Sequence, residues 1–325
     1  FPVTREAHQE QWAVWWRYRR SHGIGLDTWC GYFGGRMIVP LEQPGPPYWR
    51  INGAGRQILF SGAHLREDRW QDYLGELRRR QVPWLHGYPS LLALFAEYLI
   101  SHGEAPGFPV RHITTGAENL APHQARQIER AFGVRPRQHY GMTEGVANIS
   151  ECEHGHLHVD EDYAAVEFLP GSQPGLYRVV GTNFTNPAFP LFRYEVGDHA
   201  RLAEGACPCG RPGRRIAAID GRAEDYLELP DGTLLGRLDH IFKDAVRVRE
   251  AQIVQEQREA MTVRVVKGPG YGEGDERALE EEIRRRVGGA MRIEIEYREA
   301  LERTATGKLR LVINRMGSAR RGQEQ

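Results

Sequence analysis

Between residues 57 and 140 the chain alternates short apolar runs with amphipathic stretches, and this rhythm limits the fold more than any other feature. Periodicity predicts strands at Gln57 to Phe60, Pro83 to His86, Arg111 to Thr115 and Pro136 to Tyr140. Between them it predicts helices at Glu67 to Arg80, Ser90 to His102 and Ala121 to Phe132; in the second, Leu91, Leu94, Phe95 and Tyr98 share one face. Strands joined through helices run parallel, so the expected fold class is α/β, a parallel sheet covered by helices. An amphipathic helix from Arg5 to about His22, carrying Trp12, Trp15 and Trp16, and a strand from Asp27 to Phe33 precede this region, and a proline-rich loop at Gln43 to Pro47 comes next.

Beyond Gly145 the texture changes to short strands punctuated by glycine and proline, such as Leu176 to Gly181 and Pro190 to Tyr194, which predicts a β-rich subdomain. It changes again near Gly221. Met261 to Lys267 and Met291 to Tyr297 alternate like strands, and Glu276 to Val287 between them has Leu279, Ile283 and Val287 at helical spacing. At 325 residues the chain is long for one domain, so the expected division is a large unit at 1–221 and a small α+β unit at 222–325, with a frayed tail from Gly317.

The 43 basic and 43 acidic residues cancel and neither sign forms a block, which gives no ground for a nucleic-acid or membrane partner. No apolar run approaches the roughly 20 residues that span a bilayer, and the start does not resemble a signal peptide, so the expected location is the cytoplasm. Four cysteines are too few and too uneven for a disulfide framework. Lysine occurs only at 243, 267 and 308 among the basic residues, so each is an exception to arginine; for Lys243 and Lys267 an ordinary surface role suffices.

Four segments carry residues suited to a nucleotide. Tyr140-Gly141-Met142-Thr143-Glu144-Gly145 lies at the end of a strand: the ring can stack on a base, glycine admits phosphate close to the backbone, threonine can bond a phosphate oxygen and glutamate can hold Mg²⁺. Arg193-Tyr194-Glu195-Val196-Gly197-Asp198 places a carboxylate after a glycine, suited to accept ribose hydroxyls. Asp220-Gly221-Arg222-Ala223-Glu224-Asp225 lies at the domain boundary, where it could serve as a hinge. Arg303-Thr304-Ala305-Thr306-Gly307-Lys308 ends in a lysine on a glycine-containing loop, whose ammonium could bridge a carboxylate and an α-phosphate. Taken singly, each also fits an ordinary turn or linker.

In their order and spacing these segments resemble the adenylate-forming superfamily, specifically its phenylacetate-coenzyme A ligase and capsular-polysaccharide-type branch, from about Phe1 to Asn314. The resemblance implies an ANL-type adenylating enzyme: a partial adenylation domain at 1–221 with a β-rich subdomain, and a C-terminal lid at 222–325. It implies that Tyr140 stacks on adenine, that Gly116, Ala117 and Glu118 form the adenine shelf beside Gly141 and Met142, and that Thr143 contacts phosphate. Glu144 would bind Mg²⁺, Asp198 and Arg222 the ribose, Asp225 would be the hinge and Lys308 the adenylation lysine. His86, Gly87, Tyr88 and Pro89 would border the acyl pocket, though a plain proline helix start fits them almost as well. The implied partners are a carboxylic acid, aromatic or medium acyl, with ATP and a thiol acceptor such as coenzyme A, and the family reading is compatible with a homodimer.

The sequence also departs from that pattern. No glycine-, serine- and threonine-rich phosphate loop occurs, and the opening Phe1-Pro2-Val3-Thr4-Arg5-Glu6 resembles the segment that comes directly after such a loop in the family. A chain truncated at its N-terminus, inactive as it stands, is therefore expected. Gly268 to Gly274 lacks the lysine ending of a phosphate loop and reads as a mobile surface loop. Leu229-Pro230-Asp231-Gly232-Thr233 reads as a β-turn where many ligases carry a glycine loop for the second half-reaction, which leaves an amine, a sugar or a carrier protein open as acceptor, and a non-catalytic nucleotide binder as the other class.

Cys152, His154, His156 and His158 fall within seven residues, and Cys207-Pro208-Cys209 lies further along the chain. Such donors suit tetrahedral zinc, although Cys-x-Cys is less diagnostic than Cys-x-x-Cys. The resemblance selects Cys152, His158, Cys207 and Cys209 as a structural zinc set, with His154 and His156 exposed; Cys30 is expected to be a buried small hydrophobe.

Overall fold

The computed structural model describes residues 1–36, 38–40, 43–171, 174–222, 227–230, 234–235, 238–242, 245, 247–303 and 309–316; for residues 220–222, 234, 239 and 240 the backbone alone is described. The order is α1 (Arg5–Ser21), β1 (Cys30–Gly34), β2 (Trp49–Asn52), β3 (Gln57–Ser61), α2 (Trp70–Arg80), β4 (Trp84–Gly87), α3 (Pro89–Ser101), β5 (His112–Thr115), α4 (Pro122–Phe132) and β6 (Arg137–Gly141). A β-rich stretch comes next: β7 (Asn148–Glu151), β8 (Leu157–Val159), β9 (Ala164–Pro170), β10 (Tyr177–Asn183), β11 (Tyr194–Leu202) and β12 (Arg215–Arg222). The last part holds β13 (Leu227–Glu228), β14 (Leu234–Leu235), β15 (Val248–Gln257), β16 (Ala260–Lys267), α5 (Glu273–Val287), β17 (Arg292–Tyr297) and β18 (Val312–Asn314).

Among the described residues, β1 to β6 form a sheet in the order β2-β3-β1-β4-β5-β6, parallel from β3 through to β6. Leu91, Leu92, Phe95 and Leu99 of α3 pack with Phe33, Phe60, Leu85 and Ile113 from the strands beneath, which is the burial that the apolar helical face required. Each fully buried side chain of this kind contributes about 1.5–3 kcal/mol. α1 begins at Thr4, whose side chain accepts from the Ala7 amide, and ends with Arg19 and Arg20 against its negative C-terminal pole.

The sheet continues as β7-β8-β12-β11-β10-β9, now antiparallel. Here Pro190 to Tyr194 departs from expectation: the strand begins at Tyr194 and runs to Leu202, so Tyr194 to Asp198 lie in its first half and Arg193 just before it. Pro190 has no amide to donate to a ladder, and Arg193 adopts a left-handed φ of 46°, which ends any extended run before Tyr194. A separate sheet, β17-β16-β15-β18, has its own core, in which Leu279, Ile283 and Val287 of α5 pack on Ile253, Met261, Val263 and Val265. No helix among the described residues is long and apolar enough to cross a membrane.

One glycine is fixed by a close approach. A Cβ on Gly87 would lie 2.1 Å from the Phe33 carbonyl oxygen, because β4 pairs with β1 there and the Tyr88 amide donates to that same oxygen. Gly87→Ala is therefore expected to force the two strands apart and to lower stability by about 1–3 kcal/mol or more, read as a fall in the urea midpoint.

Candidate active site

The Gly87 turn delivers Tyr88 and Ser90 to the carboxyl end of the parallel strands, where open α/β sheets bind ligands. Pro89 occupies the first turn of α3, where its missing N–H costs nothing. The next strand, β5, is followed by Gly116, whose amide donates to the Gly87 carbonyl at 3.3 Å, and by Ala117, held at a left-handed φ of 68°. Glu118 then accepts from the Ser90 amide and hydroxyl, each at 3.1 Å, and from the Leu309 amide at 2.9 Å. Burial pushes the Glu118 carboxyl above its ordinary pKa, against the pull of the Ser90 and Leu309 donors and the Arg303 charge.

His86 is equally enclosed: its Nδ1 lies 2.9 Å from Thr114 Oγ1 and 3.0 Å from the Thr114 carbonyl oxygen. Burial, reinforced by the Arg19 charge, lowers its pKa to about 3, so it is a neutral imidazole at physiological pH. The same causes lower His139 to about 4. The Arg19 guanidinium lies 4.9 Å from the Trp16 ring centroid, 5.1 Å from Trp84 and 5.5 Å from Trp12, a cation held by aromatic faces. This grouping was not legible, because it joins α1 to β4 across about 65 residues of sequence.

β6 ends in Tyr140 and Gly141, with the loop of Met142, Thr143 and Glu144 beyond; Thr143 is exposed and Glu144 half-buried. The Met142 carbonyl accepts from Gln11 of α1 at 2.9 Å. The Tyr140 hydroxyl donates to Asp198 Oδ2 at 2.6 Å. On a flat sheet the four strand spacings from β6 to β11 would put these strands about 19 Å apart, so the sheet curls back on itself to bring them together. Asp198 faces Arg222 in the β11–β12 register. The Arg222 side chain, Asp225 and Lys308 lie outside the described residues. The described residues flanking Lys308, Arg303 and Leu309, form a β-bridge, and Arg303 Nη1 donates to Ser90 Oγ at 3.3 Å.

A second cluster joins β7–β8 to the 207–209 loop. The ligating atoms of Cys152, His158, Cys207 and Cys209 all lie within 4.8 Å of one another. Cys152 Sγ is 3.7 Å from Cys207 Sγ, and Cys209 Sγ is 3.4 Å from His158 Nε2. Tetrahedral zinc with ordinary bond lengths puts such atoms about 3.6–3.8 Å apart, so the donor set fits that ion. His154 is exposed as expected, but His156 is not: it is half-buried, with Nδ1 3.0 Å from Cys207 Sγ, because the turn at Gly155 folds it towards the cysteines. A cavity of about 430 Å³ opens beside the cluster, lined by His158, Cys207, Arg211, Arg214 and Arg215, and lies apart from the Tyr140–Asp198 pair. Cys30 is buried at 1% exposure, and burial raises its thiol pKa far above the ordinary range.

Residues 229–315 match the family described as the CapK C-terminal domain. Over 305 residues the chain is 26% identical to Protein CapK of Staphylococcus aureus, which covers 91% of this chain and 67% of CapK. It is 30% identical over 174 residues to the phenylacetate-coenzyme A ligase of Thermus thermophilus, covering 47% of this chain and 39% of that enzyme. The chain is a homologue of CapK and of the phenylacetate-coenzyme A ligases. Its fold is that of the adenylate-forming ligases. A 2-hydroxyisobutyryl-CoA ligase in a postadenylation state, in complex with R3-HIB-AMP, superposes with a TM-score of 0.67 at 17% identity, over 98% of this chain and 71% of that one. The anthranilate CoA ligase AuaEII in complex with anthranoyl-AMP does so with 0.60 at 14%, over 95% and 63%.

Proposed function

We propose that the protein activates a carboxylic acid as its acyl adenylate, with release of pyrophosphate, and passes the acyl group to a thiol, coenzyme A being the first acceptor to test. The observation that carries this reading is the convergence of separated segments: Tyr140 bonded to Asp198, and the amide next to Lys308 bonded to Glu118 of the Gly116–Glu118 loop.

In this reading adenine stacks on Tyr140 above Gly116 and Ala117, and Asp198, fixed by the Tyr140 hydroxyl, accepts the ribose hydroxyls with Arg222 opposite. A carboxylate oxygen of the acid attacks the α-phosphorus, the bond from that phosphorus to the bridging oxygen breaks, and pyrophosphate leaves. Alignment and charge neutralisation dominate such a step. Thr143 contacts the phosphates, Glu144 holds Mg²⁺, which supplies positive charge to the phosphates when bound, and Lys308 bridges the carboxylate and the α-phosphate. The thiolate then attacks the acyl carbon and AMP departs with the electron pair. The turn His86-Gly87-Tyr88-Pro89 borders the acyl group; with His86 uncharged it suits an aryl or aliphatic group. Cys152, His158, Cys207 and Cys209 hold a structural zinc ion, four protein ligands leaving no open position.

The test is acid-dependent exchange of labelled pyrophosphate into ATP in the intact protein, over a panel of aryl and aliphatic acids. Asp198→Ala is expected to weaken AMP binding about 10- to 100-fold, the worth of a hydrogen bond to a charged group. ATP binding without exchange for any acid would instead support a non-catalytic nucleotide binder.

A further inference from the structure

The C-terminal sheet rests on α3 at two places. At one, Arg249 of β15 reaches across with Nε 3.2 Å from Glu97 Oε1 and Nη2 2.9 Å from Glu67 Oε2, and its guanidinium lies 5.2 Å from the Tyr98 ring centroid. At the other, Arg303 pairs with Glu250 of its own unit and bonds Ser90, while the Leu309 amide bonds Glu118. Ser90 and Glu97 are seven residues apart on one helix, so the two contacts are about 10 Å apart along its axis.

The first contact is electrostatically one-sided. Glu97 is only 9% exposed, and its Oε2 has no hydrogen-bond partner among the described residues, so Arg249 is the cation that makes this carboxylate tolerable there. A movement that carried β15 away from α3 would break this pair and return Glu97 to water. Among the described residues the second contact joins the Ser90 hydroxyl to Arg303 and the Glu118 carboxylate to the Leu309 amide, with the Arg303 charge also acting on Glu118.

We propose that Arg249 is a positioning residue for adenylation: by clamping the C-terminal unit to Glu97 and Glu67 it keeps Arg303 on Ser90 and Leu309 on Glu118, and through these two flanking residues acts on Lys308. The inference rests on the ligase reading above. It assigns the balance between the two half-reactions to a charge pair remote from both the nucleotide and the acid. Release of this pair accompanies any rotation that exchanges Lys308 for a thiol.

The experiment compares Arg249→Met, which keeps the stem over Tyr98 but removes the charge, with Arg249→Lys. Three quantities are read in the intact protein: pyrophosphate exchange, thioester formation from a pre-formed acyl adenylate, and hydrogen–deuterium exchange of the peptide beginning at Leu309. Arg249→Met is expected to lower pyrophosphate exchange about tenfold, to leave thioester formation unchanged or faster, and to speed deuterium uptake at Leu309, with partial restoration by lysine. A parallel fall of both half-reactions with the melting midpoint, or unchanged uptake at Leu309, would overturn the proposal. If the unaltered protein shows no pyrophosphate exchange with any acid, the ligase reading fails, and deuterium uptake alone still decides whether Arg249 clamps the segment.

Discussion

Replacing Lys308 by alanine is expected to reduce acid-dependent pyrophosphate exchange by about a hundred- to a thousand-fold, the usual cost of deleting one preorganised charge at a developing anion. ATP affinity should change no more than a few-fold, because the base and ribose contacts proposed for Tyr140 and Asp198 are left in place. The attacking carboxylate and the α-phosphate are both negative, and their approach is opposed until a cation lies between them. Lys308 is suited to this because an ammonium is compact and its stem flexible, and because Leu309, the next residue, is bonded to Glu118. Steady-state exchange and equilibrium ATP binding, measured on the same preparations, check the result. Equal losses in both would mean that Lys308 binds nucleotide without acting in the chemical step.

Stripping metal from the zinc-loaded protein should lower the thermal midpoint by about 5–10 °C, several kcal/mol for a unit of this size, and Cys209→Ser should give a protein that retains no zinc. The cluster ties β7 and β8 to the 207–209 loop, and Cys152 and His158 are both buried, at 0% and 4% exposure. Three thiols and an imidazole packed this closely would otherwise be poorly solvated. Metal analysis with calorimetry before and after chelation decides the matter; a purified protein that holds no zinc, and whose midpoint ignores both chelator and added zinc, would rule the site out. His156 is the residue to watch, since its approach to Cys207 makes it a competitor for a coordination position.

The parallel half of the fold was legible because each helix buries a single apolar face and each strand is short and flanked by breakers; β4, α3, β5, α4 and β6 fall within one or two residues of their expected limits. β15 was not legible. Five successive positions, Ala251 to Gln255, are buried, including Gln252 and Gln255, whose side-chain amides donate to main-chain carbonyls, so no alternation of apolar and polar residues marks it. The site divides in the same way. Tyr140 and Asp198 stood out because glycine and a functional side chain meet at one position in each segment, and the curl of the sheet brings them together. The Arg249, Glu97 and Glu67 contact has no such local sign: its partners are 152 and 182 residues apart, and each resembles an ordinary surface charge.

The helix α3 has a consequence for anyone altering substrate range. Its first turn comes directly after the residues proposed to border the acid, and two turns further along the same rigid rod carries the carboxylate that Arg249 grips. On the ligase reading, a bulkier acid, or a pocket re-cut to admit one, that shifted the start of this rod would also shift the carboxylate that Arg249 grips. Selectivity and turnover would then be inherited together, and a variant chosen for a new acid would need a compensating change at Glu97 or Arg249 to regain speed.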